Sequence, residues 1–253
     1  MNTRKIAVIT GGSRGLGKHM AIHLAKQGRD IIFTYRNNQQ EAQSTLTELT
    51  ALGIQAHSLQ LDLSQSAAFS DFAGQLSACL NQHWGRTQFD FLINNAGSGI
   101  FKDYLHTTED EFDRMMHEHI KAPYFLSQAL VAMIKDEGRI LNISSGLTRM
   151  VVPGYSAYAI MKTAVEAFTR YLAKELAPRR IRVNTLAPGA IETDFGGGAV
   201  RDNKALNQHI ADITALGRAG LPDDIGGVVA ALLGENTGWI NAQRIEASGG
   251  QGL

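Results

Sequence analysis

The residues best equipped for chemistry in this sequence are Ser145, Tyr158 and Lys162. Tyr158 and Lys162 stand four apart, so on a helix the phenol and the ammonium project from one face. A fixed cation within a few ångströms favours phenolate and draws a tyrosine below its usual value of about 10, toward that of a working general acid. Ser145 follows the apolar run 139–144. If that run is a buried strand, Ser145 emerges at its C-terminal end, where open α/β sheets bind ligands. A hydroxyl to hold a carbonyl oxygen, a phenol to protonate it and a lysine to tune the phenol make a site for carbonyl reduction. Taken alone, the pair reads equally as a solvated i,i+4 contact, so the rest of the chain has to supply a nucleotide fold.

It does so in order. Residues 6–10 form an apolar run without period, as in a strand buried on both faces. Gly11, Gly12, Ser13, Arg14, Gly15, Leu16 and Gly17 follow, then a helical pattern through Met20, Leu24 and Ala25 that stops at Gly28. Glycines at 11, 15 and 17 permit a tight turn and close approach of a pyrophosphate, which the first N–H groups of the helix can bind. The spacing is GxxxGxG. The next strand, 31–36, ends where dinucleotide sites usually place an acid on the adenosine ribose. Tyr35 and Arg36 stand there instead, and with Arg14 in the glycine turn, two guanidiniums can reach a 2′-phosphate. That set predicts NADP(H) in preference to NAD(H).

Helix (38–52), strand (54–60), helix (65–82) and strand (89–94) continue the alternation, which implies a parallel, doubly wound sheet with helices on both faces. Asp62, with Leu63 after it, follows the third strand and can meet the adenine; a turn-forming aspartate is the equal alternative. Asn94, Asn95, Ala96 and Gly97 close the fourth strand with small residues, where bulk would obstruct the nucleotide.

Zero net charge over 253 residues argues against nucleic acid or an anionic membrane as the main partner. A lone Cys79 excludes an internal disulfide and a cysteine metal cluster. The N-terminus from Met1 to Lys5 leads into the first strand without a secretory leader, and no run of about 18 apolar residues follows. A soluble cytoplasmic protein is expected, with one domain over residues 1–253 and no internal repeat.

Jointly, the glycine turn 11–17, Asn94 with Gly97, Ser145, Tyr158 with Lys162, and the stretch 184–193 (NTLAPGAIET) resemble the short-chain dehydrogenase/reductase family over the whole chain. The resemblance implies a single-domain Rossmann-type α/β fold of about seven strands. It also implies an NAD(P) cofactor lying along 11–17, 94–97, Pro188, Gly189, Ile191 and Thr193. Hydride transfer would take place at Ser145, Tyr158 and Lys162, in a homo-oligomer, most often a tetramer, paired through helices near 112–135 and 155–177.

One position departs from that pattern. Where the family carries an asparagine whose carbonyl holds a relay water, this sequence has His119. In a regular helix that carbonyl would accept from residue 123, but Pro123 has no N–H, so it is left free. An imidazole can also shuttle protons itself. His19 and His23 have i,i+4 ligand spacing but lack the glutamate and third ligand of a zinc motif, so a surface role is expected. His117 and His119 face different directions. Trp84 and Trp239 are expected to pack, and the glycine-rich segment 195–201 reads as a lid that selects substrate.

The leading function is an NADPH-dependent carbonyl reductase with Tyr158 as general acid. Alternatives are an alcohol dehydrogenase working oxidatively, a 3-oxoacyl-acyl carrier protein reductase, and a nucleotide-binding scaffold. Asp136 and Glu137 stand where the carrier-protein enzymes use a basic residue, although Arg179 fits their second basic position. Carboxylates facing an acidic partner weaken association, which favours a small free substrate.

Overall fold

The computed structural model describes residues 4–253; Met1, Asn2 and Thr3, which begin the leader-free N-terminus expected above, lie outside the described residues. Its strands are β1 (Ile6–Ile9), β2 (Asp30–Tyr35), β3 (Ala56–Gln60), β4 (Phe89–Asn94), β5 (Ile134–Ile143), β6 (Arg182–Pro188) and β7 (Arg244–Ala247). They pair in parallel throughout, in the order β3-β2-β1-β4-β5-β6-β7. The helices are α1 (Gly15–Lys26), α2 (Gln39–Ala51), α3 (Phe69–Trp84), α4 (Glu109–Met116), α5 (Ala122–Leu130), α6 (Ser156–Glu175), α7 (Ala199–Asp202), α8 (Lys204–Asp212) and α9 (Pro222–Leu232).

β1 and β4 are buried at every residue, which is why their sequences run apolar without alternation. One core joins Met20 and Leu24 of α1, Leu49 of α2 and Val229 of α9 to the Ile31/Phe33 side of the sheet. A second joins Phe72 and Leu76 of α3, Leu126 of α5 and Ala173 of α6 to the Val8/Ile32 side. The chain winds outward from β1 to β3 and returns to start again at β4. The crevice between the C-terminal ends of β1 and β4 is therefore the topological switch point, where such sheets bind ligands.

A buried polar chain crosses the second half of the sheet. Asn94 Nδ2 donates to Ser127 Oγ (3.0 Å) and to Asn142 Oδ1 (2.8 Å). Asn142 Nδ2 donates to Thr169 Oγ1 (2.8 Å), which also receives Thr185 Oγ1 (2.8 Å) and donates to the Val165 carbonyl (2.9 Å). These bonds tie β4, β5, β6, α5 and α6 together at fixed registers, in surroundings where an unpaired partner is expensive.

Two expectations are corrected. The helix through residue 119 is not regular: a π-turn spans His117–Lys121 between α4 and α5, and the Ala122 N–H reaches back to the His117 carbonyl. Pro123, in the first turn of α5, cannot supply the bond that would hold the regular spacing. Trp239 is fully exposed and packs on nothing within the chain, whereas Trp84 is half-buried and donates to Asp30 Oδ2 at 2.8 Å. Among the described residues no helix is long and apolar enough to cross a membrane.

Asn142→Leu should lower the unfolding free energy by about 2–3 kcal/mol, because it removes one acceptor from the Asn94 amide and one donor from the Thr169 hydroxyl in the interior. Urea denaturation measures this, and a loss under about 0.5 kcal/mol would show that the polar chain is dispensable.

Candidate active site

At the switch point the glycine turn is fixed from three sides. The Gly11 N–H donates to Thr34 Oγ1 (3.1 Å), and Asn95 Nδ2 donates to the carbonyls of Thr10 (2.9 Å) and Gly11 (3.2 Å). Thr10 Oγ1 in turn accepts the N–H groups of Asn95 and Ala96 (2.9 and 3.0 Å). Gly11 is left-handed at φ +66°, and a Cβ at Gly17 would lie 2.2 Å from the Gly11 carbonyl oxygen, so only glycine lets α1 start this close to the turn. The first turn of α1 holds no acidic residue and its cap makes no side-chain hydrogen bond. Its N–H groups are free for an anion, so the cradle suits a pyrophosphate.

The other expected cofactor residues line the same crevice ends. Arg36 Nε approaches Asp62 Oδ1 (3.3 Å) and Arg14 Nη1 approaches Asp194 Oδ2 (3.8 Å). Asp62 Oδ1 also accepts the Ser64 N–H (3.0 Å), the turn-forming role weighed above. Exposed ion pairs are worth about 0–1 kcal/mol, less than the roughly 1.5–3 kcal/mol of a charge-assisted bond to phosphate, so either arginine can be drawn to a 2′-phosphate. Tyr35 is half-buried beside Arg36, the Ser13 carbonyl accepts Thr45 Oγ1 (2.8 Å), and Leu16 and Leu63 pack at the core edges. Beyond β6, Gly189 sits against Ser248 and Gln251, Ile191 bridges to Gly220, and Thr193 Oγ1 accepts the Phe195 N–H (3.1 Å).

Ser145, Tyr158 and Lys162 meet at the end of β5. Ser145 Oγ accepts the Leu147 N–H (3.2 Å), which opens a short turn, and it is hydrogen-bonded to the Tyr158 phenol. Lys162 Nζ is buried, donates to the Ile143 carbonyl (2.8 Å) and lies 5.6 Å from the centre of the Tyr158 ring. The electrostatics differ from the expectation. Burial holds the Tyr158 phenol above the usual tyrosine range, with the Ser145 hydrogen bond pulling the other way and the neighbouring Tyr155 adding to the rise. Burial also brings Lys162 down to about 8, opposed by the charge of Glu118.

His119 is buried against this pair. Its ring stands edge-on to Tyr158 with centroids 5.2 Å apart, and Nε2 meets the Ser98 carbonyl at 2.6 Å. A carbonyl only accepts, so Nε2 carries the proton and Nδ1 is a bare acceptor. Burial, reinforced by the charge of Lys162, lowers His119 to about 3. An imidazole so depressed stays neutral at physiological pH, which removes it as a proton carrier there. Behind the three residues is a cavity of about 10 Å³, lined by Asn94, Glu118, His119, Pro123 and Lys162 among others. It has room for about one water. Asn94 Oδ1 and His119 Nδ1 are buried polar atoms without a protein partner.

Several residues at the site were missed from sequence. Glu166 Oε1 accepts from Ser144 Oγ (2.7 Å), Thr148 Oγ1 (2.8 Å) and Arg244 Nε (2.9 Å), pinning the segment that carries Ser145. Its place four residues beyond Lys162 on α6 was an available signal. Gln251, whose Oε1 accepts the Ala190 N–H (2.8 Å), had none. His19 and His23 both lie on Asp223 Oδ1 (2.8 and 3.1 Å), joining α1 to α9 as surface contacts. Segment 195–201 folds into helical turns through three left-handed glycines, Gly196, Gly197 and Gly198, and lays Phe195 on Tyr158 at 5.5 Å.

A doubly wound sheet with a pyrophosphate cradle and a hydroxyl–phenol–lysine cluster at its switch point defines a nucleotide-dependent oxidoreductase. Residues 11–251 match the family described as Enoyl-(Acyl carrier protein) reductase. Hydroxynaphthalene reductase-like protein Arp2 of Metarhizium brunneum is 32% identical over 257 residues, covering 97% of this chain and 94% of that protein. The promiscuous reductase LugOII, a keto-reductase acting at C1 in lugdunomycin biosynthesis, superposes with a TM-score of 0.92 at 36% identity, covering 97% and 96% of the two chains. The angucycline C-6 ketoreductase LanV, solved with bound NADP, gives a TM-score of 0.92 at 32% identity, covering 97% and 95%. The chain belongs to the short-chain dehydrogenase/reductase family.

A Cβ at Gly97 would lie 2.4 Å from His119 Cε1. Gly97→Ala should therefore destabilise the protein by about 1–3 kcal/mol, and Gly97→Ala/His119→Asn should recover most of that, because the smaller amide vacates the clash. A double-mutant cycle by chemical denaturation checks this; strictly additive effects would mean that the imidazole does not fill the space over Gly97.

Proposed function

We propose that this chain is an NADPH-dependent reductase of ring ketones on flat, partly aromatic polycyclic molecules, yielding the secondary alcohol. The observation that carries the substrate class is the apolar, aromatic mouth over Tyr158. Phe195 lies on the Tyr158 ring, Phe101 and Tyr155 meet at 5.0 Å, and the exposed Phe101, Val151 and Val152 extend the rim. Aromatic faces at this spacing favour offset stacking with a planar ring system. The relatives named above include a hydroxynaphthalene reductase-like protein and an angucycline C-6 ketoreductase, names that support a ring ketone as substrate.

NADPH bound along the glycine turn supplies the hydride that goes to the carbonyl carbon. Ser145 donates a hydrogen bond that orients the carbonyl oxygen, and Tyr158 delivers the proton. A phenol held above its usual range is protonated at all working pH values, which suits the acid of a reduction. Lys162, near 8, is close enough to neutrality to return a proton to the phenolate and take one back from solvent through the one-water cavity past Glu118. His119 lines that cavity and adds no charge to it.

An acidic carrier protein is disfavoured as donor of the substrate. Arg179 is already paired with Asp136 (2.8 Å) and donates to the carbonyls of Val131 (2.7 Å) and Ile134, so it is spent on holding β5. The exposed Phe112, Met116, Tyr124, Phe125, Ile160 and Tyr171 on α4, α5 and α6 mark the surface through which the chain forms a homo-oligomer, as a tetramer.

NADPH oxidation assayed with a bicyclic aromatic ketone and with an acyclic 3-oxoacyl thioester should give a kcat/KM at least ~10-fold higher for the ring ketone. Tyr158→Phe should lower turnover at least ~10²-fold while NADPH still binds. Preference for the thioester would sink the substrate class, and near-parental turnover in the variant would remove Tyr158 from the chemistry.

Arg14→Ala/Arg36→Ala should weaken NADPH binding at least ~10-fold and leave NADH unchanged, since each lost phosphate contact is worth roughly 1.5–3 kcal/mol. Equal losses for both nucleotides, measured by fluorescence titration, would refute a 2′-phosphate site at these arginines.

A further inference from the structure

At the opposite end of the sheet from the catalytic cluster, near the N-terminal end of the edge strand β3, three metal-ligating side chains converge. His57 is the second residue of β3, and Cys79 and His83 stand four apart on α3, so both point from one helix face at the strand. The nitrogen, sulfur and nitrogen ligand atoms all lie within 4.8 Å of one another. The two imidazoles are stacked at 3.6 Å, tilted by 27°. Cys79 is buried and reduced, while the two histidines are half-exposed, so the group is open to solvent from one side only. Among the described residues the ring nitrogens of His57 and His83 take no hydrogen-bond partner.

The backbones carrying these ligands are held in place. Gln55 Nε2 donates to the His83 carbonyl (3.0 Å), joining the start of β3 to the end of α3, and Trp84 Nε1 donates to the buried Asp30 (2.8 Å). Packing alone does not account for two unpartnered imidazoles and a thiol meeting between an edge strand and its covering helix.

We propose that His57, Cys79 and His83 bind a divalent cation of the zinc class, with water as the fourth ligand. Two imidazoles and one thiolate form a borderline-soft set that suits zinc or cobalt and not calcium or magnesium. Tetrahedral bonds of about 2.0–2.3 Å require ligand atoms roughly 3.3–3.7 Å apart, so no pair has to close by more than about 1.5 Å. Side-chain rotation supplies that movement and parts the stacked rings. Binding releases the Cys79 thiol proton to solvent and leaves both imidazoles neutral, so the bound ion carries one thiolate, two nitrogens and water. The ion would clamp the edge strand to α3 and stabilise the fold without touching the catalytic cluster.

The ring of Trp84 stands edge-on to His57 at 5.3 Å and to His83 at 6.1 Å, which places a reporter beside the site. The chain has 2 tryptophans, and Trp239→Phe leaves Trp84 as the sole emitter. Cobalt(II) chloride titrated into chelator-stripped protein should quench Trp84 emission at micromolar concentration and raise a thiolate-to-cobalt charge-transfer band, which zinc chloride then displaces. Cys79→Ser should abolish the band, and His57→Ala and His83→Ala should each weaken cobalt binding at least ~10-fold. All three variants should retain NADPH binding within two-fold, which confirms that they are folded. Should one fail to fold, thermal unfolding decides instead: zinc should raise the melting temperature of the parent and not that of His57→Ala. No band at millimolar cobalt, a band that survives Cys79→Ser, or histidine variants that bind cobalt as tightly as the parent would overturn the site.

Discussion

The buried ammonium of Lys162 is the constraint on which the catalytic end of this molecule depends. An ammonium taken out of water without a carboxylate in direct contact is costly, and the chain answers with a 2.8 Å bond to the Ile143 carbonyl and the longer-range charge of Glu118. Those two partners lie on different elements, the end of β5 and the π-turn. To serve both, α6 must run past the end of β5 at one height and one rotation, which places Tyr158 beside Ser145. The compensation is incomplete, and the lysine is left close to neutrality, where a group is useful for moving protons.

The rest of the second half-sheet can be understood as enforcing that position. Asn142 and Thr169 fix α6 two turns beyond Lys162, and Glu166 with Arg244 fixes the segment just after the strand. Polar contacts of this kind are directional, so they specify register in a way that an apolar contact such as Val183 in the core with Ala173 of the same helix could not. The same logic holds the first half-sheet, where Thr10 and Asn95 bind the glycine turn to β4. The cofactor cradle and the reacting cluster therefore share β4 as a common reference, through Asn95 on one side and Asn94 on the other.

Much of this was legible in the sequence, for a physical reason. Strands buried on both faces give unbroken apolar runs, and a turn that must admit a helix start within van der Waals range of a carbonyl leaves glycine no substitute, so β1, the turn and α1 announce themselves. Tyr158 and Lys162 are recognisable because helical periodicity makes spacing equivalent to proximity. What was not legible depended on distances between remote elements. Asn94, Asn142, Thr169 and Thr185 are scattered along the chain and look like ordinary strand and helix residues until the sheet aligns them. The direction of the Tyr158 shift was misjudged because spacing reports that a cation is near but not how deeply the phenol is buried. Pro123 was seen to free a carbonyl, yet the chain's response, widening one turn into a π-helix, is a choice between local geometries that sequence does not settle. His57, Cys79 and His83 escaped for a related reason: a strand residue and a helix residue have no fixed spacing.

The histidine at position 119 is the point where chemistry and shape have to be separated. A second cation beside Lys162 would raise the energy of both, and the depression of His119 to about 3 records that the protein keeps the imidazole neutral. The coupling is reciprocal: a proton on His119 would push Lys162 further down, so the two cannot both be charged without penalty. A group whose folded value lies below its unfolded value near 6.5 takes up protons more readily when unfolded. Stability linked to His119 is therefore fully present above about pH 6.5 and lost as the pH falls from there toward 3. Across the neutral range the imidazole is electrostatically silent. Its action there is confined to its volume, which fills the space over Gly97 and braces Tyr158 edge-on.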